Sequence, residues 1–278
     1  MLTAMLGAVS QGILWGIMVL GVFITYKLLD IPDLTVDGSF ATGGAVTGFL
    51  TTAFEIPAIL AGILTQISLW SINLRVMGKS NTPLLTSKTV FSALGDATGL
   101  PSNVCAIIVG AIVAVAIVAG LYWFFGTEIG SALRATGDNE AMIRALGVNT
   151  NTTKMIALTL SNALVGLSGG LICEQQKYAD IGMGTGAIVI GLAAIVIGEV
   201  LGRLLPGGLS KFGARLAAAV IGSIVYFLIR AVVLQMGMDA NDMKLLSAII
   251  VALALCVPVV WERYQLRSSY TRGDEKDA

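Results

Sequence analysis

The residues able to do chemistry in this chain are few, and the missing types narrow the choice as much as those present. There is no histidine, so the commonest general base and metal ligand is lacking, and hydrolase triads and histidine-ligated metal or haem sites fall away. Cys105, Cys173 and Cys256 each lie inside or at the end of an apolar run without close spacing. That pattern suggests neither a disulfide framework nor a zinc site and fits small buried hydrophobes. No Gly-x4-Gly-Lys-Ser/Thr phosphate loop occurs, so any ATP hydrolysis must come from a separate subunit. No cofactor or metal is expected.

What remains is a set of acids, hydroxyls and amides beside helix-breaking residues. Asp33 and Asp37 flank Leu34-Thr35-Val36 and run into Gly38-Ser39, with Pro32 and Gly38 interrupting regular helix. The stretch Tyr178-Ala-Asp180-Ile-Gly-Met-Gly-Thr-Gly186 repeats the sense: an acid, an aliphatic residue, a small one, then a glycine-rich apolar run. Such groups can line a solute path, because unwound backbone at membrane depth persists only where protein or a water-filled cavity satisfies it. Two similar breaks in the two halves fit an internal repeat around a path, and the same residues also fit ordinary extracellular turns with solvated aspartates. Asn73 and Asn162 fit path contacts or interhelical hydrogen bonds. The path set is therefore Asp33, Thr35, Asp37, Ser39, Asn73 and Asp180.

The elements that must position these residues are membrane helices. Of the 278 residues 56% are hydrophobic and 12% charged, too few charges to cover a soluble surface. Several runs exceed the roughly 18–20 apolar residues that cross a bilayer core. The 17 basic and 17 acidic residues balance, which leaves no electrostatic case for nucleic acid. The class is all-α, a polytopic helical protein of about eight spans with broken or re-entrant helices: 4–29, 39–54, 56–76, 103–125, 155–175, 187–201, 213–236 and 243–261. Residues 4–29 are too long for a signal sequence and are read as the first span.

If 126–154 faces the cytoplasm, the same side receives Arg134, Arg144, Lys154, Arg203, Lys211, Arg215 and the basic tail, leaving Lys27, Arg75, Lys79, Lys88, Lys177, Arg230 and Lys244 elsewhere. Both termini are then expected in the cytoplasm. Residues 1–262 form one membrane domain and 263–278 a short cytoplasmic tail. Glu199 is expected to pair with Arg203, Arg230 to snorkel outward, and Tyr178 and Trp123 to anchor at the interfaces. Gly12/Gly16, Gly44/Gly48, Gly166/Gly170 and Gly182/Gly186 have small-xxx-small spacing and suggest dense packing.

One polar segment, 127–153, is much the most structured of the long polar loops, and by its residues alone it fits an interfacial connector as well as a docking element. Asp138 or Asn139 can cap a short helix, Glu140 sits in its first turn, Arg144 is near its end and Gly147 suits the left-handed position beyond it. Met142, Ala145 and Leu146 share a face that needs the protein's own surface, the lipid interface or a partner's groove. The pattern Gly130-x3-Arg134-Ala-x-Gly137-Asp138-Asn139-Glu140-x4-Ala145-x-Gly147 resembles the coupling loop of permease subunits of bacterial ABC importers, in the branched-chain amino acid and ribose permease superfamily. The likeness continues through Lys154, Ser161-Asn162, Gly166–Gly170, 190–199 and Ile31–Ser39, and is nearest the tryptophan/tyrosine uptake branch. The interval from Ser39 to Ser71 is short for the helices that family places there.

The resemblance implies a permease in the bacterial plasma membrane that acts as a homodimer. ATP-binding subunits would dock on the cytoplasmic helix, which transmits their closure, and an extracytoplasmic binding protein would deliver a small solute, an amino acid or related compound. Arg134, Gly137, Asp138, Asn139, Glu140, Met142, Arg144, Ala145, Leu146 and Gly147 would form the coupling site. The alternative is an ion-coupled secondary transporter, which would need an essential buried acid such as Asp33, Asp37 or Glu199.

Overall fold

The structure, a computed structural model, describes residues 2–31, 33, 50, 57–85, 88–204 and 211–237, with isolated positions at 245, 248, 249, 252 and 256. The expected spans 39–54 and 243–261, the tail, and Thr35, Asp37 and Ser39 lie outside them, or nearly so.

Helix α1 (Leu2–Val22) is apolar all round, and a helix of that kind belongs in the middle of a bundle. Leu14, Ile17, Val19, Leu20 and Ile24 are fully enclosed. It continues into a π-helical turn, Phe23–Leu28. After it come α2 (Ala58–Met77), α3 (Val90–Thr98), α4 (Ser102–Phe125), α5 (Glu128–Asp138), α6 (Glu140–Ala145), α7 (Thr150–Gln176), α8 (Ala187–Leu204) and α9 (Phe212–Gln235), of which α4, α7, α8 and α9 pack against it. Strands β1 (Asn81–Pro83) and β2 (Tyr178–Asp180) pair antiparallel, with Asn81 opposite Asp180 and Pro83 opposite Tyr178. Among the described residues five helices, those now labelled α1, α2, α4, α7 and α9, are long and apolar enough to cross a membrane. The lipid-compatible faces are plain on α4, where Ile112, Val115 and Trp123 are exposed.

Three seams hold the bundle. Along α7, Ser161, Ser168 and Gln175 recur every seven residues, the spacing that keeps one side of a helix on its neighbour. Ser161 Oγ donates to the Gly21 carbonyl at 2.8 Å, Ser168 Oγ to that of Leu14 at 2.7 Å, and the Gln175 amide to the Ser10 hydroxyl. As α7 rises in number α1 falls, so the two are antiparallel. Ser223 of α9 donates to the Gly12 carbonyl at 2.7 Å, where Gly12 and Gly16 lie against Ile224 and Val220. Between α8 and α9, Gly198 and Gly222 bring backbones together: a Cβ on Gly222 would lie 2.0 Å from the Ala194 carbonyl oxygen. Of the spaced glycine pairs, Gly12/Gly16 packs this way, whereas Gly170 has no neighbour within 4 Å of a built Cβ; Gly44/Gly48 lies outside the described residues.

These seams correct the expected topology. The C-terminal end of α1 meets the 127–150 segment, since Gly137 lies against Leu28 and Leu29, while Ser10 sits beside the opposite end of α7. Leu2 and the loop are therefore at opposite ends of the bundle and do not share a side. Lys27 moves to the loop end, where it pairs with Glu199 at 2.8 Å, the partner expected to be Arg203, whose side chain is outside those described. The change strengthens the basic asymmetry read from the sequence, because Lys27 leaves the opposite group. Arg230 lies over the Phe227 ring at 5.7 Å.

Candidate functional site

At the loop end, α5 begins under a Thr127 cap whose Oγ accepts from Gly130 N–H at 3.3 Å. It is fixed to the body by its inner side, Leu133 and Thr136 being buried. Arg134, expected at a partner surface, turns inward: its Nη2 donates to the Phe125 carbonyl at 2.8 Å and its guanidinium lies 5.3 Å from the Phe212 ring centre. It clamps α5 to the ends of α4 and α9. Gly137 makes the tightest approach, since a Cβ there would lie 1.7 Å from the Leu28 carbonyl oxygen. Both residues therefore contact the membrane body.

Helix α6 follows at once. Of the two possible caps, Asn139 serves, its Oδ1 accepting from Met142 N–H at 3.0 Å. Glu140 is gripped from two sides, by Lys154 Nζ at 2.7 Å and Arg144 Nη2 at 2.8 Å. The Lys154 hydrogen bond, outweighing partial burial, holds its carboxyl below the usual glutamate range. Arg144 also donates to Thr150 Oγ1 at 3.1 Å, and Thr136 and Thr153 hydroxyls meet at 3.1 Å. The helix ends in a Schellman closure: Val148 N–H donates to the Ile143 carbonyl and Gly147 N–H to that of Arg144, with Gly147 at φ +86°, which a side chain would strain. Ile143, unremarked in the sequence, is the residue that faces inward, 6% exposed. Asp138, Met142, Ala145 and Leu146 face outward, with Leu146 71% exposed. The apolar face thus does not fold onto the chain's own surface.

The second cluster is deep. After the π-turn the chain reverses at Asp30, a non-glycine residue at φ +53°; aspartate tolerates that region better than most side chains. Ile31 N–H donates back to the Thr25 carbonyl at 3.0 Å. Asp33 is then 2% exposed, and its Oδ2 accepts from Asn162 Nδ2 at 2.7 Å. So Asp33 is no solvated turn residue, and it enters the bundle from the loop end.

Asp180 does occupy a turn, at the far end, where Oδ1 accepts from Gly182 N–H at 2.8 Å and Oδ2 from Asn81 at 3.3 Å. Fourteen residues of α7, Asn162 to Gln176, lie between the two levels, about 20 Å at helical rise. The structure therefore does not bring these two acids together. The breaks nonetheless enter from opposite ends: beyond Asp180 a series of turns to Gly186 carries Met183 against the core around Leu14, Phe91 and Ile172 before α8 starts, which is why α8 is short. Asn73 sits half-buried on α2. Ser161, beside Asn162, entered the sequence reading only through the family likeness, and the π-turn was missed, since no periodicity marks a π-turn.

The family model described as branched-chain amino acid transport system, permease component, matches residues 41–256. A tyrosine transport system permease protein of Clostridioides difficile is 33% identical over 90% of this chain and 90% of its own length. A ribose import permease protein of Escherichia coli is 26% identical over 77% of this chain and 64% of its own length. A probable branched-chain amino acid transport permease protein of Methanocaldococcus jannaschii is 26% identical over 66% of this chain and 54% of its own. No solved structure matches.

Proposed function

Because the chain belongs to the permease-component family of branched-chain amino acid transport systems, we propose that it is the membrane-spanning subunit of an ATP-driven importer in the bacterial plasma membrane. The observation that carries the reading is the split of the 127–150 segment into two faces. The inner one, through Arg134, Gly137 and Ile143, is built into the membrane body; the outer one, through Met142, Ala145 and Leu146, presents apolar side chains outward from a helix capped at both ends. An exposed apolar patch on a rigid element is what a partner's groove takes. The partner here is an ATP-binding subunit in the cytoplasm, which sets the loop end inside and the Leu2 end outside. ATP is bound by that subunit, two copies of the permease share the path, and an extracytoplasmic binding protein delivers the solute at the outer end. The cargo is a small solute of the amino-acid class, a choice supported by the tyrosine permease relative.

Co-expression with candidate ATPase and binding-protein genes of the same organism tests this. The expected result is a stable complex whose vesicles take up labelled tyrosine or a competing amino acid only with ATP. Leu146→Asp is expected to weaken ATPase capture about tenfold or more, the scale of a lost apolar anchor, and Arg144→Glu to weaken it as well. Uptake that follows an ion gradient without an ATPase, and disappears in Asp33→Asn, would instead make the chain a secondary transporter.

A further inference from the structure

Helix α9 carries an arginine on the side where a membrane helix least tolerates one. Ala219, Ser223, Tyr226 and Phe227 are buried at helical spacing, and Arg230, four positions beyond Tyr226 and seven beyond Ser223, continues that inward stripe. Ile221 and Val232, on the opposite side, are exposed and apolar. Arg230 is half-buried and stands five residues before Gln235, the last of α9, about 7 Å inside the helix end at helical rise. Helical side chains lean toward the N-terminus, which for α9 is the loop end, so Arg230 leans into the membrane. Its guanidinium accordingly lies over Phe227, one turn deeper, at 5.7 Å from the ring centre. Phe227 packs in turn on Trp15 and Tyr226, each with ring centres 5.5 Å apart from its own. Ile190 and Ala193 of α8 close the cluster, and both fall in the first two turns after the break that ends at Gly186.

Among the described residues Arg230 has neither an ion pair nor a hydrogen-bond acceptor; the partner it does have is the Phe227 ring. A ring face offsets part of the charge but leaves the N–H fork open. The dipole of α9 favours a cation near its C-terminal end, yet it would favour one facing outward just as well. An unpaired inward charge within a membrane helix is costly and is kept where a solute or ion passes. A guanidinium fork matches a carboxylate through two parallel hydrogen bonds. We propose that Arg230 is a binding residue of the solute path, receiving the carboxylate of the cargo beside the outer break, so that the permease itself favours amino acids and other carboxylates over neutral sugars. In the proposed orientation this place is at the outer end, where a binding protein releases its load.

The inference rests on the importer reading, and one experiment separates the two. The full-length chain is reconstituted in lipid vesicles with its ATPase subunit and binding protein, and labelled tyrosine taken up is divided by ATP hydrolysed. Arg230→Gln is expected to lower that ratio about tenfold or more, the scale of a lost hydrogen bond to a charged group, with assembly and melting temperature close to the parent's. Arg230→Lys, which keeps the charge and loses the fork, is expected to fall between the two. Arg230→Cys, with Cys105, Cys173 and Cys256 replaced, is expected to lose uptake. It should regain uptake when a membrane-impermeant thiol reagent carrying an ammonium group is added on the side of the binding protein, and not with one carrying a sulfonate. A parental ratio in Arg230→Gln, or equal recovery of Arg230→Cys with either reagent, overturns the proposal. A loss in Arg230→Gln that follows lost assembly or a lowered melting temperature, with Arg230→Lys no better, also overturns it, by making the arginine purely structural. A parent with no ATP-dependent uptake of any solute overturns the importer reading and this inference with it. A parent that imports ribose and no carboxylate, or tyrosine with indifferent Arg230 variants, overturns only the inference.

Discussion

Glu140 is the residue on which the outer face of helix α6 depends. Lys154 first, then Arg144 and Thr150, favour its ionised form and hold its carboxyl below the ordinary range. The sign follows: a carboxyl lowered in the folded state contributes in full above the ordinary value near pH ~4.3 and loses its contribution as the pH falls through the folded value. A spin label at Leu146 should therefore stay immobile from neutrality down through the ordinary glutamate range and gain mobility only as the pH falls below that range. Glu140→Gln should be mobile throughout and flat with pH. Most of this residue-scale detail was legible in the sequence, because capping and first-turn charge are local: Asn139, Glu140, Arg144 and Gly147 fall within nine positions. Lys154 as the stronger partner was not, since it stands on the next helix, nor was the contact of Arg134 with Phe212, because a guanidinium in a polar loop looks the same whether it faces a partner or stacks on a ring.

Among elements, the apolar runs located the helices well, but not the faces that meet. Gly170 and Gly222 each stand in a run of small and apolar residues and look alike in sequence terms; only a crossing backbone distinguishes them. Gly222→Val must push α8 from α9, because even a Cβ would lie 2.0 Å from the Ala194 carbonyl oxygen. Such overpacking costs on the order of 1–3 kcal/mol, so a clear fall in the melting temperature is expected in detergent. Gly170→Ala, with nothing within 4 Å, should melt like the parent. The same limit explains Asp33: Pro32 and Gly38 announce a break, but a reversal at Asp30 is fixed by the Gly137 contact, made by residues about a hundred positions further along.

At the scale of the molecule, the antiparallel seams place Leu2 and Leu146 on opposite sides of the membrane once the importer orientation is taken. A membrane-impermeant thiol reagent should label Thr3→Cys in intact spheroplasts and Leu146→Cys only after lysis, with native cysteines replaced; the reverse pattern would invert the assignment. The expectation of both termini inside rested on basic loops and an even number of spans; the seams put Leu2 at the end opposite the loop and Lys27 at the loop end, while the C-terminal tail lies outside the described residues. The β1–β2 ribbon sets a timetable for biogenesis. It fastens the outer end of α2 with residues some 99 positions later in the chain, and synthesis runs from the N-terminus. Helix α2 and the short helix α3 must therefore wait, already in place at the membrane, until α7 has emerged and crossed; Val90, whose backbone N–H binds Glu174 at 3.0 Å, waits for the same event. In the proposed orientation, the outer surface that would receive a binding protein is thus finished late, after helix α6 has been made.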